Sequence, residues 1–237
     1  MEISVIIPTF NYDKYVARAI RSCIEQSFPK DQFEILVIND SSQDSTKYIL
    51  ESYGHWIRTI EHDENMGLPY SRNHGIKMAK GKYIVNLDAD DFLNKDFLQI
   101  CYWHMFYNNC DAVATDYFLV DDNEKFIKRI NVYERHIACG IMFRREQMLN
   151  VGLYDTALRI GEDVDFRIRF DRQYRVERVN LPLYRYRMHK KNSTSDRSEN
   201  LRYLDLISKK HKCRVQHTYH PEQQLDGLQP ADQKAQG

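Results

Sequence analysis

The sequence predicts one α/β domain built on a mainly parallel sheet, and three observations carry that prediction. Segments rich in β-branched and aromatic residues alternate with helical patterns over roughly the first hundred residues, the signature of βαβ units. Two of those segments, residues 3–7 and 83–87, are almost continuously apolar, as strands covered on both faces require. A chain of 237 residues can bury a sizeable core around one such domain.

Strands are expected at 3–7, 34–39, 57–61 and 83–87. Val16, Ala19, Ile20 and Cys23 fall at helical spacing, as do Ile76 and Ala79, so helices pack on the sheet. Asp44 is placed to cap a helix reaching about Tyr53. A helix over 95–107 leads to a strand over 112–119, and Asp121-Asp122-Asn123 turns the chain back in a hairpin. Further on, the pattern gives a strand over 137–143, a short helix over 145–151, a helix over 163–172 with an acidic first turn, and strand-like alternation over 175–186. Beyond Ser198, a helix carrying Leu201, Leu204 and Ile207 forms a short C-terminal extension, and the final polar residues read as disordered. The main domain is therefore drawn as 1–197 and the extension as 198–237.

The 34 basic and 34 acidic side chains cancel, so no global field draws the chain to nucleic acid or a membrane. The N-terminus has no basic leader and no apolar run approaches bilayer length, which sets the expected location as cytoplasmic. Five widely spaced cysteines without a CxxC pair point to small buried hydrophobes rather than a zinc site or a disulfide framework. Asn192-Ser193-Thr194 matches a glycosylation acceptor but is discounted without a secretion signal.

Open α/β sheets bind ligands beyond the carboxyl ends of their strands, and here those loops collect polar residues. They read Pro8-Thr9-Phe10-Asn11-Tyr12, Asp40-Ser41-Ser42, Asn65-Met66-Gly67 and Asp88-Ala89-Asp90-Asp91. Carboxylates at i and i+2 on a tight loop suit a hard cation such as Mn2+ or Mg2+ that also binds substrate phosphates; a solvated acidic turn is the alternative. Asp40 can accept the ring N–H of uracil or guanine, which cytosine lacks, with Thr9 and Tyr12 lining the same pocket; otherwise it is a turn residue. Arg72, near the start of a helix, is placed to reach a pyrophosphate or to brace Asp88. Glu162 and Asp163 open a helix after Gly161, either as charges favourable in a first turn or with Asp163 as a general base. His189 offers a metal or phosphate ligand, or is a surface histidine. Arg185 and Arg187 alternate with Tyr184 and Tyr186, so one of these pairs faces the crevice.

In order and spacing, ISVIIPTFNYDKYVARAIRSCIEQSF, FEILVINDSSQDST, ENMGLPYSRNHGIKMAKGKYIVNLDADD, GLYDTALRIGEDVDFRIR and YRYRMHKKNST resemble the inverting glycosyltransferases of family two, with the GT-A fold. The resemblance implies a nucleotide-sugar site at Pro8, Thr9, Tyr12, Asp40, Arg72 and Asp88; positive side chains such as Arg72 or Arg185 are expected to neutralise charge on the donor diphosphate. It implies Asp90 as the main metal-binding carboxylate, His189 beside the metal or the phosphates, Asp163 as catalytic base and Glu162 as its acceptor-positioning partner. The expected reaction moves a sugar from a nucleotide-diphosphate donor, UDP favoured over GDP, to a hydroxyl of a glycan or lipid-linked acceptor. A nucleotidyltransferase is the competing enzyme class, but it usually carries a glycine-rich basic loop that PTFNYDKY lacks; a non-catalytic binding partner would not need Asp88, Asp90 and Asp163 together. The basic helix near residues 209–214 either approaches anionic lipid at the inner membrane face or, the preferred reading, is a solvated face or a contact within a homo-oligomer.

Overall fold

The computed structural model describes residues 1–189 and 197–212; Asn192-Ser193-Thr194 and the tail from Cys213 lie outside the described residues. Among the described residues, nine strands form one mixed sheet. Strands β1 (Ile3–Thr9), β2 (Phe33–Asn39), β3 (Arg58–Glu61) and β4 (Tyr83–Asn86) are parallel and lie in the order β3-β2-β1-β4. The sheet continues through β8 (Ile141–Arg144), β6 (Ala112–Val120), β9 (Val176–Arg187) and β5 (Phe92–Leu93), with β7 (Phe126–Ile130) paired to β6. β8 runs antiparallel to β4 and β6, while β6 and β9 run parallel.

Every residue of β1 is buried, and its side chains divide with a period of two. Ile3, Val5 and Ile7 join one core with Val16, Ala19, Ile20 and Cys23 of α1 (Val16–Ile24) and Leu98 and Cys101 of α4 (Phe97–Asn108). Ile6 joins the opposite core with Ile76 of α3 (Leu68–Met78), Met148 of α5 (Arg145–Val151), and Phe166 and Phe170 of α6 (Glu162–Asp171). Gly75 lets α3 lie hard against β1, since a Cβ there would stand 2.5 Å from Ile6 Cγ2. That contact sets Arg72, one turn earlier, at the carboxyl end of the sheet.

Three expectations change. The strand read over 137–143 begins only at Ile141, because Gly140 takes φ +72° and turns the chain, leaving Ile137 and Cys139 buried outside the ladder. β5 was not expected; two residues are too few to show a period. Asp44 supports α2 (Thr46–Ser52) from one position before the N-cap, its carboxylate accepting the Thr46 N–H at 2.9 Å and the Asp13 N–H at 3.0 Å.

Helix α7 (Arg197–His211) packs on α6: Ile207 is fully buried, and its Cδ1 approaches Gly161 closely. Two members of the basic run are tied to the domain there. Lys210 pairs with Asp155 and Asp165, His211 lies 2.8 Å from Asp165, and Lys209 pairs with Asp205. Among the described residues no helix is long and apolar enough to cross a membrane. Cys23, Cys101, Cys110 and Cys139 are buried, as expected. Cys110 nevertheless sits with His104 and Glu177, their ligand-type atoms within 4.8 Å, a grouping hidden in sequence because α4, its following turn and β9 each supply one member.

Candidate active site

The loops after β1 and β2 are stitched together. Asn11 and Ser41 take left-handed backbones (φ 58° and 64°), Ser42 Oγ accepts the Asn11 N–H, and Asn11 Oδ1 accepts the Gln43 N–H at 2.7 Å. Pro8 and Thr9 end β1 as buried residues, and the Thr9 hydroxyl has no partner among the described residues. Tyr12 packs on the core edge-on to His189, and burial together with Asp90, Asp88 and Asp91 pushes its hydroxyl pKa up.

Asp40 is 3 % exposed, and its carboxylate organises the next loop. It accepts the Met66 and Gly67 N–H groups at 2.9 and 2.8 Å, and His62 Nδ1 lies 2.6 Å from it. A carboxylate only accepts, so Nδ1 of His62 carries a proton; the other ring nitrogen meets His74 Nδ1 at 2.8 Å, with the two rings stacked. Three of about four lone-pair sites on Asp40 are thus filled, leaving room for one more donor. His62 and His74 were missed in sequence because a histidine twelve residues before another carries no periodic signal. His62→Phe, which keeps a ring but no donor, is expected to weaken nucleotide binding about tenfold in a titration, the scale of a hydrogen bond to a charged group.

Arg72 is 1 % exposed and bridges the two halves of the site. Its Nη2 donates to Asp88 Oδ1 at 2.7 Å and its Nη1 to Glu162 Oε1 at 2.5 Å, with the guanidinium 5.6 Å from the Tyr154 ring centroid. Of its two expected roles, the structure takes bracing of Asp88. The Asn73 side-chain amide donates to the Tyr154 carbonyl and accepts its N–H, and Asn86 donates to the Tyr154 hydroxyl. Glu162 and Asp163 open α6 after Gly161 in the left-handed region (φ 78°). Burial raises the Asp163 pKa against the pull of Arg72, and the Glu162 pKa is pushed up to about 7 by burial against the same pull, with Asp163 adding repulsion.

His189 Nε2 lies 2.8 Å from Asp90 Oδ2, and its ring stacks on Tyr15 with centroids 4.8 Å apart. Asp91 is structural: its carboxylate accepts the Tyr184 hydroxyl at 2.6 Å and the Arg187 N–H at 2.7 Å, anchoring β9. Arg187, not Arg185, faces this loop, donating from Nε to the Asp90 carbonyl at 2.8 Å. Arg185 lies instead over the Phe118 ring, so the structure does not bring it to the carboxylate cluster. Two residues apart in an unshifted stretch of β9, the two arginines share a face, and position along the strand separates them: Arg185 stands opposite Phe118 and Phe92, Arg187 opposite Val120.

The residues fit a hard divalent cation. Burial, and then the Asp88 charge, raise the Asp90 pKa, while burial and both neighbouring aspartates hold Asp91 well above the ordinary range. Such crowding of like charge is what a cation relieves. Asp90 and His189 stand side by side as donors, whereas Asp88 is held by Arg72.

The family model of glycosyl transferase family 2 matches residues 4–182. The poly(ribitol-phosphate) beta-N-acetylglucosaminyltransferase TarS of Staphylococcus aureus is 37 % identical over 102 residues, covering 42 % of this chain and 18 % of that protein. The chain thus spans under a fifth of that curated relative. A crystal structure of TarS 1-349 with UDP-GlcNAc superposes with a TM-score of 0.74 at 23 % identity, over 88 % of this chain and 66 % of that one. The mannosyltransferase PcManGT of Pyrobaculum calidifontis, with GDP-Man and Mn2+, gives 0.73 at 17 % identity, over 92 % and 66 %. The fold is GT-A, as expected from the sequence, and with most of its length matched by the family model the chain belongs to glycosyl transferase family 2.

Proposed function

We propose that this chain transfers one sugar from a nucleotide-diphosphate donor to a hydroxyl of a glycan or lipid-linked acceptor, inverting the anomeric carbon. The observation that carries the reading is the buried Arg72 bridge, which joins the Asp88 loop to Glu162 and so sets Asp163 beside the Asp88–Asp90 loop. Asp163 accepts the acceptor proton as the new bond forms; its raised pKa strengthens it as a base at neutral pH. Glu162, held by Arg72, positions the acceptor. Asp90 and His189 would hold Mn2+ or Mg2+, which when bound neutralises charge on the departing diphosphate. Tyr12, Thr9 and Pro8 border the donor crevice, and Asp40 keeps one acceptor site for a base N–H. A UDP-sugar is favoured; the structures of TarS with UDP-GlcNAc and of PcManGT with GDP-Man support these two donor classes. The TarS name supports a phosphate-containing polymer among the acceptors.

The test is a titration of UDP, GDP and CDP with and without Mn2+ on wild type and Asp90→Asn. One nucleotide is expected to bind in a Mn2+-dependent way, with affinity falling at least about tenfold in the variant. Binding that is indifferent to both the metal and the substitution would remove Asp90 from the donor site.

A further inference from the structure

Strand register sets Arg185 of β9 between Phe92 of β5 and Phe118 of β6. Its guanidinium lies 4.5 Å from the Phe118 ring centroid, and with Val120, Glu124 and Phe126 these side chains line an open pocket of about 470 Å³. Arg185 Nη1 donates to the Pro182 carbonyl at 2.6 Å and, more weakly, to that of Tyr184. Among the described residues, its Nε and Nη2 meet no acceptor. Among the described residues Glu124 is the one carboxylate lining the pocket, and it is shared by Arg18 and Arg187 at 3.1 and 3.0 Å. Arg18 itself lies over the Phe92 ring, 4.0 Å from its centroid. A half-buried guanidinium flanked by a second cation, with no carboxylate of its own, presents an unfilled fork to an anion.

We propose that this pocket binds a phosphodiester of an anionic acceptor chain, an inference that rests on the glycosyl-transfer reading above. The single charge of a phosphodiester matches the one uncompensated guanidinium, and Nε and Nη2 meet its two free oxygens. Its two ester arms can leave an open pocket in opposite directions along the phenylalanine rings. One arm leads toward the carboxylates, since Phe92 is two residues past Asp90 and Arg187 ties the Asp90 carbonyl to Glu124. Arg185 thereby moves from the donor to the acceptor.

The experiment titrates glycerophosphoglycerol, a minimal phosphodiester with two polyol arms, into the full chain in the presence of UDP and Mn2+, with glycerol as the neutral control. Wild type is compared with Arg185→Gln and with Phe126→Asp, which adds a negative charge at a residue 58 % exposed and so perturbs the core little. The diester is expected to bind wild type and to lose about tenfold in affinity in both variants, with UDP binding unchanged. Equal affinity in all three proteins, no binding to wild type, or glycerol binding as tightly as the diester would overturn the proposal. If UDP fails to bind while the diester binds and responds to both variants, the donor reading falls and the anion site stands.

Discussion

Asp163→Asn is expected to lower sugar transfer by about 10²–10⁴-fold while leaving donor binding nearly unchanged, because a positioned general base contributes on that scale only in the transition state. The amide cannot accept the acceptor proton, yet it keeps the shape and the backbone of the α6 first turn. Burial, opposed by Arg72 and reinforced by Asp88, raises the Asp163 pKa. The base acts deprotonated, so activity in the wild type should fall as pH drops through that raised value, at higher pH than an ordinary aspartate would give. Single-turnover rates across pH on both proteins check this: the acid limb should vanish in the variant along with most of the rate. Comparable rates in the two proteins would take Asp163 out of the mechanism.

Arg72→Ala is the substitution with the largest expected effect on stability. It removes the partner of Glu162, whose side chain is 7 % exposed, and one partner of Asp88. Breaking a buried ion pair by deleting one member costs about 3–5 kcal/mol, since the remaining charge is left desolvated. For a chain of this size that lowers the thermal midpoint by about 10 °C. Arg72→Lys keeps the charge but cannot span both carboxylates with one planar fork, so an intermediate loss is expected. Calorimetry distinguishes these outcomes, and a midpoint for Arg72→Ala within about 1 °C of wild type would show that water replaces the arginine at no cost.

Much of the fold was legible because period and composition report burial directly. β1 and β4 are apolar on both faces, and the structure covers both faces; the helical spacing of Val16, Ala19, Ile20 and Cys23 is the face α1 buries. The strand-end loops were legible for the same reason, since polar residues interrupting such strands must lie at their ends. Residues 137–139 misled because an apolar run reports burial without saying whether a ladder or a side-chain cluster provides it. They pack beneath the site, where Cys139 Sγ lies 3.8 Å from Arg72.

By itself the sequence determined an α/β sheet with polar loops at its carboxyl ends, the order of its candidate carboxylates, and membership of a family whose motifs are local in the chain. Only the tertiary structure decided which partners those side chains take. Arg72 meets Glu162 across ninety residues, His189 meets Asp90 across ninety-nine, and His62 meets Asp40 across twenty-two. Arg187 turns to the Asp90 loop, while Arg185 turns to the phenylalanines. The physical reason is that periodicity encodes which face of an element is buried. The identity of a charged group's partner depends on distances set by packing between elements far apart in the chain, and on the register with which strands such as β6 and β9 pair.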